Sequence, residues 1–212
     1  LASSLSMSAG TTLAADESLS VSGALSHTGY FTINVATGKT LTYSGPPISV
    51  GANTLTLTGG GSIVSGGMTL DKVNSKLLLS SITLDNASTS GDNLGVKVDA
   101  NSTITSLSVG HVTPLEIGSG TTLSGSIAIV SGSLKLVWRG TLASTVSMSG
   151  GTLDADESST VSGAFTHSAD ITIDVANNQT LTYSGPAISV GANTLTLTGG
   201  GSLVSGGLTL ND

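Results

Sequence analysis

Two acidic pairs are the first residues in this sequence that could perform chemistry. Asp16-Glu17-Ser18 recurs further along the chain as Asp156-Glu157-Ser158. Paired carboxylates can exchange protons with a substrate or bind a cation such as calcium. No second carboxylate pair lies at a spacing that would converge with either one, and Asp and Ser are common turn residues. We therefore expect both pairs to lie at solvated corners.

Histidine is the next candidate for metal binding or base catalysis. His27 and His167 occupy equivalent positions in the repeated sequence, and His111 stands alone. A zinc site or a general base needs partners, and neither repeated histidine has a second His or a Glu at ligand spacing. The chain contains no Cys. We predict histidines at the edge of the fold, with no catalytic, cofactor-binding or metal-binding residue assigned.

The segment from Asp85 to Asn93, DNASTSGDN, is rich in side-chain oxygens. Such oxygens are calcium ligands, but the segment has neither the EF-hand pattern nor the GGxGxD nonapeptide. The sequence predicts a loop here and leaves weak calcium binding open.

Few residues remain from which an active site could be built. Charged residues make up 9% of the chain, with six Lys and Arg in total and one Trp, Trp138. The residues that we consider for a carbohydrate-active site are Lys97, Asp99, Asp92 and Arg139, because such sites need convergent carboxylates and a base.

Charge and hydropathy exclude two classes of partner. A net charge of −7 leaves no basic stripe that could neutralise the phosphates of a nucleic acid. No run of apolar residues approaches the ~18 needed for a transmembrane helix. We expect no nucleic-acid partner and no membrane insertion by this segment.

The chain repeats itself over long distances. The segment LTYSGPPISVGANTLTLTGGGSIVSGGMTL from Leu41 to Leu70 recurs almost unchanged from Leu181 to Leu210. These positions define an internal super-repeat of about 140 residues. We divide residues 1–212, one continuous unit, into a first copy of about 1–141 and a partial second copy of about 142–212.

Short strands fill this long repeat. Apolar residues alternate with polar ones over three to five positions, as in Phe31-x-Ile33-x-Val35, and Gly, Asn, Asp, Ser or Pro separates the runs. The runs are shorter than typical sandwich strands, and corresponding runs recur at intervals of about 20–25 residues. The pattern predicts an all-β fold, a right-handed parallel β-helix (β-solenoid) of nine or ten coils and roughly 45 Å. Leu55, Leu57, Ile63 and Leu77 are the expected interior columns.

Strings such as FTINVATGKTLTYSGPPISVGANTLTLTGGGSIVSGG resemble the repeats of bacterial secreted β-helix proteins, including autotransporter passengers and filamentous-haemagglutinin-type adhesins. The resemblance implies export and an extracellular or cell-surface location. It implies a non-enzymatic structural or adhesive rod, as a segment of a larger surface protein or as a filament subunit. Expected partners are the chain itself, by end-to-end or lateral association, or a surface or glycan receptor. The alternative is a β-helix polysaccharide lyase or hydrolase.

Overall fold

The chain folds as a parallel β-solenoid. The computed structural model describes residues 3–137 and 139–209, and Trp138 therefore lies outside the described residues. Within that part of the chain the model has 28 strands, β1 to β28 in chain order, and no helix. Every strand pair with an assigned register is parallel, as between β5 and β8. The predicted all-β solenoid is confirmed.

Over the described residues, face 1 contains ten strands, one from each coil, so this part of the rod has ten coils. At ~4.8 Å per coil this gives a length of roughly 45 Å. In order, the strands of face 1 are β2 (Thr11–Ala15), β5 (Phe31–Val35), β8 (Thr54–Thr58), β11 (Lys76–Ser80), β13 (Gly95–Val98), β15 (Thr113–Ile117), β17 (Ser133–Leu136), β20 (Thr152–Ala155), β23 (Ile171–Val175) and β26 (Leu195–Thr198).

Face 2 follows face 1 in each coil, after a corner. Its strands are β3 (Leu19–Val21), β6 (Thr40–Tyr43), β9 (Ser62–Ser65), β12 (Thr83–Thr89), β14 (Ser102–Val109), β16 (Thr122–Ile129), β18 (Thr141–Leu142), β21 (Ser159–Val161), β24 (Thr180–Tyr183) and β27 (Ser202–Ser205).

Face 3 completes the cross-section. The long strands β12, β14 and β16 belong to both face 2 and face 3. Strand β10 (Met68–Leu70) pairs with the second half of β12, and β7 (Ile48–Ser49) pairs with β10. Strand β19 (Thr145–Met148) pairs with β16, and β22 (Phe165–His167) pairs with β19. Two separate pairs lie at the ends of the rod: β1 (Leu5–Met7) with β4 (Leu25–His27), and β25 (Ile188–Ser189) with β28 (Leu208–Thr209).

The coils differ slightly in length, as the partners along one interior column show. Phe31 pairs with Leu55, and Leu55 pairs with Leu77. Leu77 pairs with Val96 and Val96 with Leu115, so fewer residues separate the partners in the middle of the rod. The middle coils are slightly shorter than the expected length of about 20–25 residues, because their corners contain fewer residues.

The predicted loop from Asp85 to Asn93 is wrong for its first half. Asp85 to Thr89 belong to β12, which bends at Asn86 and continues into face 3. The bend lets two polar positions face solvent in succession before Ala87 turns inward. Thr89 also points inward, and its hydroxyl accepts a 2.8 Å hydrogen bond from the Thr113 hydroxyl in the next coil.

The interior is a stack of aliphatic columns. The predicted interior residues Leu55, Leu57, Ile63 and Leu77 are all buried, at 0–1% exposure. Each pairs in register with another aliphatic residue of a neighbouring coil, so the same kind of side chain recurs along the rod. Fully burying a Leu or Ile side chain contributes about 1.5–3 kcal/mol each, which makes these columns the main source of stability.

A buried tyrosine supports the corner between faces 2 and 3 in each copy. The Tyr43 hydroxyl accepts a 3.0 Å hydrogen bond from the Leu25 amide, and the Tyr183 hydroxyl accepts one of 3.2 Å from the Phe165 amide. The Tyr183 hydroxyl also donates to the Pro186 carbonyl at 2.6 Å. Burial raises the pKa of Tyr183, so the phenol stays protonated and able to donate.

Over the described residues, no helix is long and apolar enough to cross a membrane.

Candidate functional site

The strongest concentration of charge lies on the outer side of face 1. Three residues at outward positions of successive strands form what we name the charged column: Lys135, Asp154 and Asp174. Parallel pairing places residues of adjacent coils side by side, about 4.8 Å apart. Lys135 pairs with Asp154, and Asp154 pairs with Asp174. Lys97 and Glu116 pair in the neighbouring outward column, because Lys135 lies opposite Pro114.

Lys135 is the cation around which the carboxylates of the charged column are arranged. Its Nζ lies 3.2 Å from Asp154 Oδ2 and 3.5 Å from Asp156 Oδ2. Asp156 belongs to the second acidic pair and follows β20 at its corner. Asp174 accepts a 2.6 Å hydrogen bond from the Thr198 hydroxyl in the next coil.

Ionisation at this cluster departs from ordinary values in two places. Hydrogen bonding to Asp154, together with the negative charge of Asp154, raises the pKa of Lys135. Burial raises the pKa of Asp154, whose side chain is 13% exposed; the Lys135 ammonium opposes that shift, and the charges of Asp156 and Asp174 add to it. The arrangement therefore holds Lys135 as an ammonium ion, which is unsuited to accept a proton.

Sequence reasoning missed this cluster. The search for a second carboxylate pair left out single carboxylates, and Lys135 joins one of these, Asp154, to Asp156 of the second acidic pair. The usable signal is the spacing of Lys135, Asp154 and Asp174, which recur at the length of the local coils, about 20 residues. The first copy has Ala14 and Asn34 at the positions of Asp154 and Asp174.

The four residues considered for an active site are only partly brought together. Lys97 Nζ lies 3.1 Å from Asp99 Oδ1. Asp92 precedes β13 whereas Asp99 follows it, so the strand separates the two carboxylates. Asp92 Oδ1 instead lies 3.6 Å from His111 Nε2. Trp138 cannot be placed in any site because it lies outside the described residues.

Arg139 faces a different cleft. That cleft, of about 520 Å³, is lined by Ser119, Val137, Arg139 and Glu157. Lys97, Asp92 and Asp99 are not among the described residues that line it. The predicted constellation therefore does not form a single site.

The remaining candidates lie at corners and edges. Asp16 and Glu17 are exposed, and Glu17 forms an ion pair with Lys39. The two ring nitrogens of His27 lie 3.0 Å from the Gly29 carbonyl and 2.8 Å from the Ser49 carbonyl. The described residues include no group of three or more His, Cys, Asp and Glu side chains that could hold a metal ion.

A groove with a volume of about 580 Å³ lies at the corner between faces 1 and 2. Its described lining consists of uncharged residues: Gly60, Gly61, Ser81, Ile82, Thr83, Asn101, Ser102, Thr103, Thr122 and Ser124. Hydroxyl and amide groups can bind a polar ligand but supply no general acid or base of the kind used in glycoside cleavage.

Fold and surface together define the chain as a β-solenoid with an outward charged column. No protein-family model matches the sequence. No curated protein and no solved structure shows a significant match either.

Proposed function

We propose that this chain is a non-enzymatic structural or adhesive rod at an extracellular surface, as a segment of a larger surface protein or as a filament subunit. The observation that carries the proposal is the uninterrupted stack of ten coils around aliphatic columns. Repeats that contact only their neighbours give an extended, stiff element whose length is set by the number of coils.

The use of charge supports the same proposal. Lys39, Lys76, Lys97 and Lys135 all form ion pairs along the rod, with Glu17, Glu116, Asp99 and Asp154 respectively. These pairs connect one coil to another or brace a single coil. A rod that associates with itself or with a surface or glycan receptor would do so mainly through its hydroxyl-rich exterior and its ends.

Surface location can be tested on cells that produce the protein. Intact cells would be treated with a membrane-impermeant biotin reagent that modifies lysine, and the labelled fraction compared with that in lysed cells. Lys72, which is exposed, provides a reactive amine. Labelling equal in intact and lysed cells supports the proposal, whereas labelling confined to lysed cells contradicts it.

The alternative is a β-helix polysaccharide lyase or hydrolase, and the Lys135 cluster is the observation in its favour. A lyase needs a base that is unprotonated near neutral pH and can accept a proton from the substrate. The raised pKa of Lys135 instead favours its protonated form. We expect no release of unsaturated or reducing ends from a panel of neutral and acidic polysaccharides. Cleavage that is lost in Lys135→Met would refute the non-enzymatic proposal.

A further inference from the structure

Exposed apolar side chains concentrate at one corner of the rod, where face 3 ends and face 1 of the next coil begins. Before the last coil, the large apolar residues that the described structure exposes are Tyr30, Val64, Val73, Leu94, Val112 and Val130. All of them except Val64 lie at this corner. Corners are normally built from polar turn residues, so this distribution needs an explanation.

Four successive coils each contribute one of these residues. They lie just before the fourth, fifth, sixth and seventh strands of face 1, they are 42–61% exposed, and we name them the aliphatic ridge: Val73, Leu94, Val112 and Val130. With one residue per coil, the ridge extends over three coil spacings, about 14 Å. In the coils on either side the same corner has the small residues Ala52 and Gly151, so the ridge is limited to these four coils.

The ridge lies well inside the described part of the rod. Three strands of face 1 precede its four coils and three follow them, so its exposure does not depend on how either end of the rod continues. The ridge is an apolar exception on an exterior that is otherwise rich in hydroxyl groups. A contiguous apolar patch with polar surroundings is typical of an interaction surface.

A carboxylate and an imidazole lie at the centre of the ridge. Asp92 precedes the fifth strand of face 1 and His111 precedes the sixth, and Asp92 Oδ1 lies 3.6 Å from His111 Nε2. The Asp92 side chain is 74% exposed, so its carboxylate can accept further hydrogen bonds. Leu94 and Val112 belong to the same two corners. The middle of the ridge therefore combines an acceptor on one coil with a donor on the next.

These features become self-complementary when a second rod lies antiparallel to the first. A two-fold axis perpendicular to the rod, midway between the fifth and sixth coils, brings the fourth coil opposite the seventh and the fifth opposite the sixth. Leu94 then faces Val112 of the second copy, and Asp92 faces His111 of the second copy. Apolar residues meet apolar residues, and each carboxylate meets a ring that can donate a hydrogen bond.

A parallel, side-by-side arrangement is less favourable. It would place each coil opposite the same coil of the second copy, so that Asp92 faces Asp92 and the exposed Lys72 faces Lys72. Like charges brought together in an interface oppose association. The distribution of charge along this corner therefore favours the antiparallel pair.

We propose that the aliphatic ridge binds the ridge of a second copy of this chain, with the two rods antiparallel about this two-fold axis. This proposal rests on the proposed rod function and specifies the contact through which rods associate laterally. The ridge is narrow, and interfaces smaller than about 1,200 Å² are typical of weak complexes. We expect a dissociation constant of about 10–100 μM for one pair of rods.

Two exposed residues provide a matched pair of variants. Leu94 is 47% exposed on the ridge, and Val64 is 45% exposed on face 2. Sedimentation equilibrium of the 212-residue protein would measure self-association of both lysine variants. Leu94→Lys should weaken the dimer about tenfold or more, because the lysine must be desolvated and the two-fold axis places it in the interface twice. Val64→Lys makes the same change of charge and should leave the dissociation constant within about twofold.

Disulfide cross-linking would determine the orientation of the rods, because the chain contains no Cys. Val73→Cys and Val130→Cys place thiols at the two ends of the ridge. In the antiparallel pair, position 73 of one copy faces position 130 of the other. The two copies of position 73 are about 14 Å apart along the rod, beyond the ~7 Å that a disulfide can span.

The two cysteine variants would be oxidised separately and as a mixture in which one carries a tag that increases its mass. We expect a mixed dimer on a non-reducing gel from the mixture and little dimer from either variant alone. This result does not depend on the folding of any lysine variant.

Three results would overturn the inference. The first is a protein that stays monomeric up to about 1 mM. The second is equal weakening of the dimer by Leu94→Lys and Val64→Lys. The third is cross-linking of Val73→Cys with itself as readily as with Val130→Cys, which would show that the rods are parallel.

The failure of this inference is separable from failure of the rod function. A monomeric protein with full surface labelling of intact cells would leave the rod in place and remove its proposed lateral contact. A dimer with the expected cross-link, formed by a protein that is labelled only in lysed cells, would keep the contact and reject the surface role.

Discussion

The substitution Gly95→Ala should show that close approach between coils holds this rod together. Gly95 begins β13 with a φ of +84°, and a Cβ added there would lie 1.8 Å from the Pro114 carbonyl oxygen in the next coil. Gly120 supplies the control, because its φ of +74° is similar but its added Cβ would meet no atom within 4 Å. Both substitutions impose backbone strain, and one of them also forces a collision.

The expected difference in stability between the two variants follows from the backbone strain, which both share, and the collision, which only Gly95→Ala has. A non-glycine residue in the left-handed region costs about 1–2 kcal/mol, so Gly120→Ala should lower the free energy of unfolding by about 1 kcal/mol. In Gly95→Ala the coils would have to separate by roughly 1 Å or more to relieve the contact. Overpacking of that kind costs about 1–3 kcal/mol, and each strained hydrogen bond between β13 and β15 adds about 1 kcal/mol. We expect a total loss of about 3–4 kcal/mol.

Equilibrium urea unfolding followed by far-UV circular dichroism would measure both variants. A lower midpoint at an unchanged slope reports a change in stability rather than in the amount of surface exposed. If Gly95→Ala and Gly120→Ala lose the same free energy to within about 0.5 kcal/mol, the proximity of Pro114 is unimportant and the packing argument is refuted.

Two further predictions concern buried polar contacts. Tyr183→Phe removes the hydroxyl that serves the Phe165 amide and the Pro186 carbonyl, so we expect a loss of about 1–3 kcal/mol in urea unfolding; no loss would mean that water replaces the hydroxyl. Lys135→Met should cost about 1 kcal/mol at neutral pH and almost nothing near pH 3, where the Asp154 carboxyl, whose pKa is raised, is protonated. Because folding raises the pKa of Asp154, the protonated carboxyl stabilises the fold at low pH, and this stabilisation is lost as the pH rises through the raised pKa. Lys135 opposes the rise in pKa, so the loss of stability with rising pH should be larger in the Lys135→Met variant. A pH-independent difference between wild type and variant would show that the ion pair is not the cause.

The interior columns could be predicted from sequence because they depend on local alternation. Leu55 and Leu57 lie two positions apart between polar residues, and a strand of period two must put both on the same side. The near-identity of residues 41–70 and 181–210 also indicated that a single architecture continues along the chain.

The remaining features depend on contacts between coils, which local patterns do not contain. Asp85 to Thr89 is polar enough to resemble a loop, but Ala87 lies between Met68 and Leu107 in a buried column and so belongs to a strand. The charged column was missed for the same reason. Lys135 and Asp154 become neighbours because the length of the coil between them brings both to outward positions in register, and a register shift of one position would turn Asp154 inward.

The near-identity of residues 41–70 and 181–210 affects how the length of the molecule can change. Phe31 and Ile171 occupy equivalent positions in the two copies and lie seven strands apart on face 1. Recombination between the two matching stretches would delete or insert the block between them and change the length by roughly 34 Å. Every contact between neighbouring coils in the shortened or lengthened product would be one that the present molecule already contains. The length of the rod can therefore vary between variants without any new contact between coils.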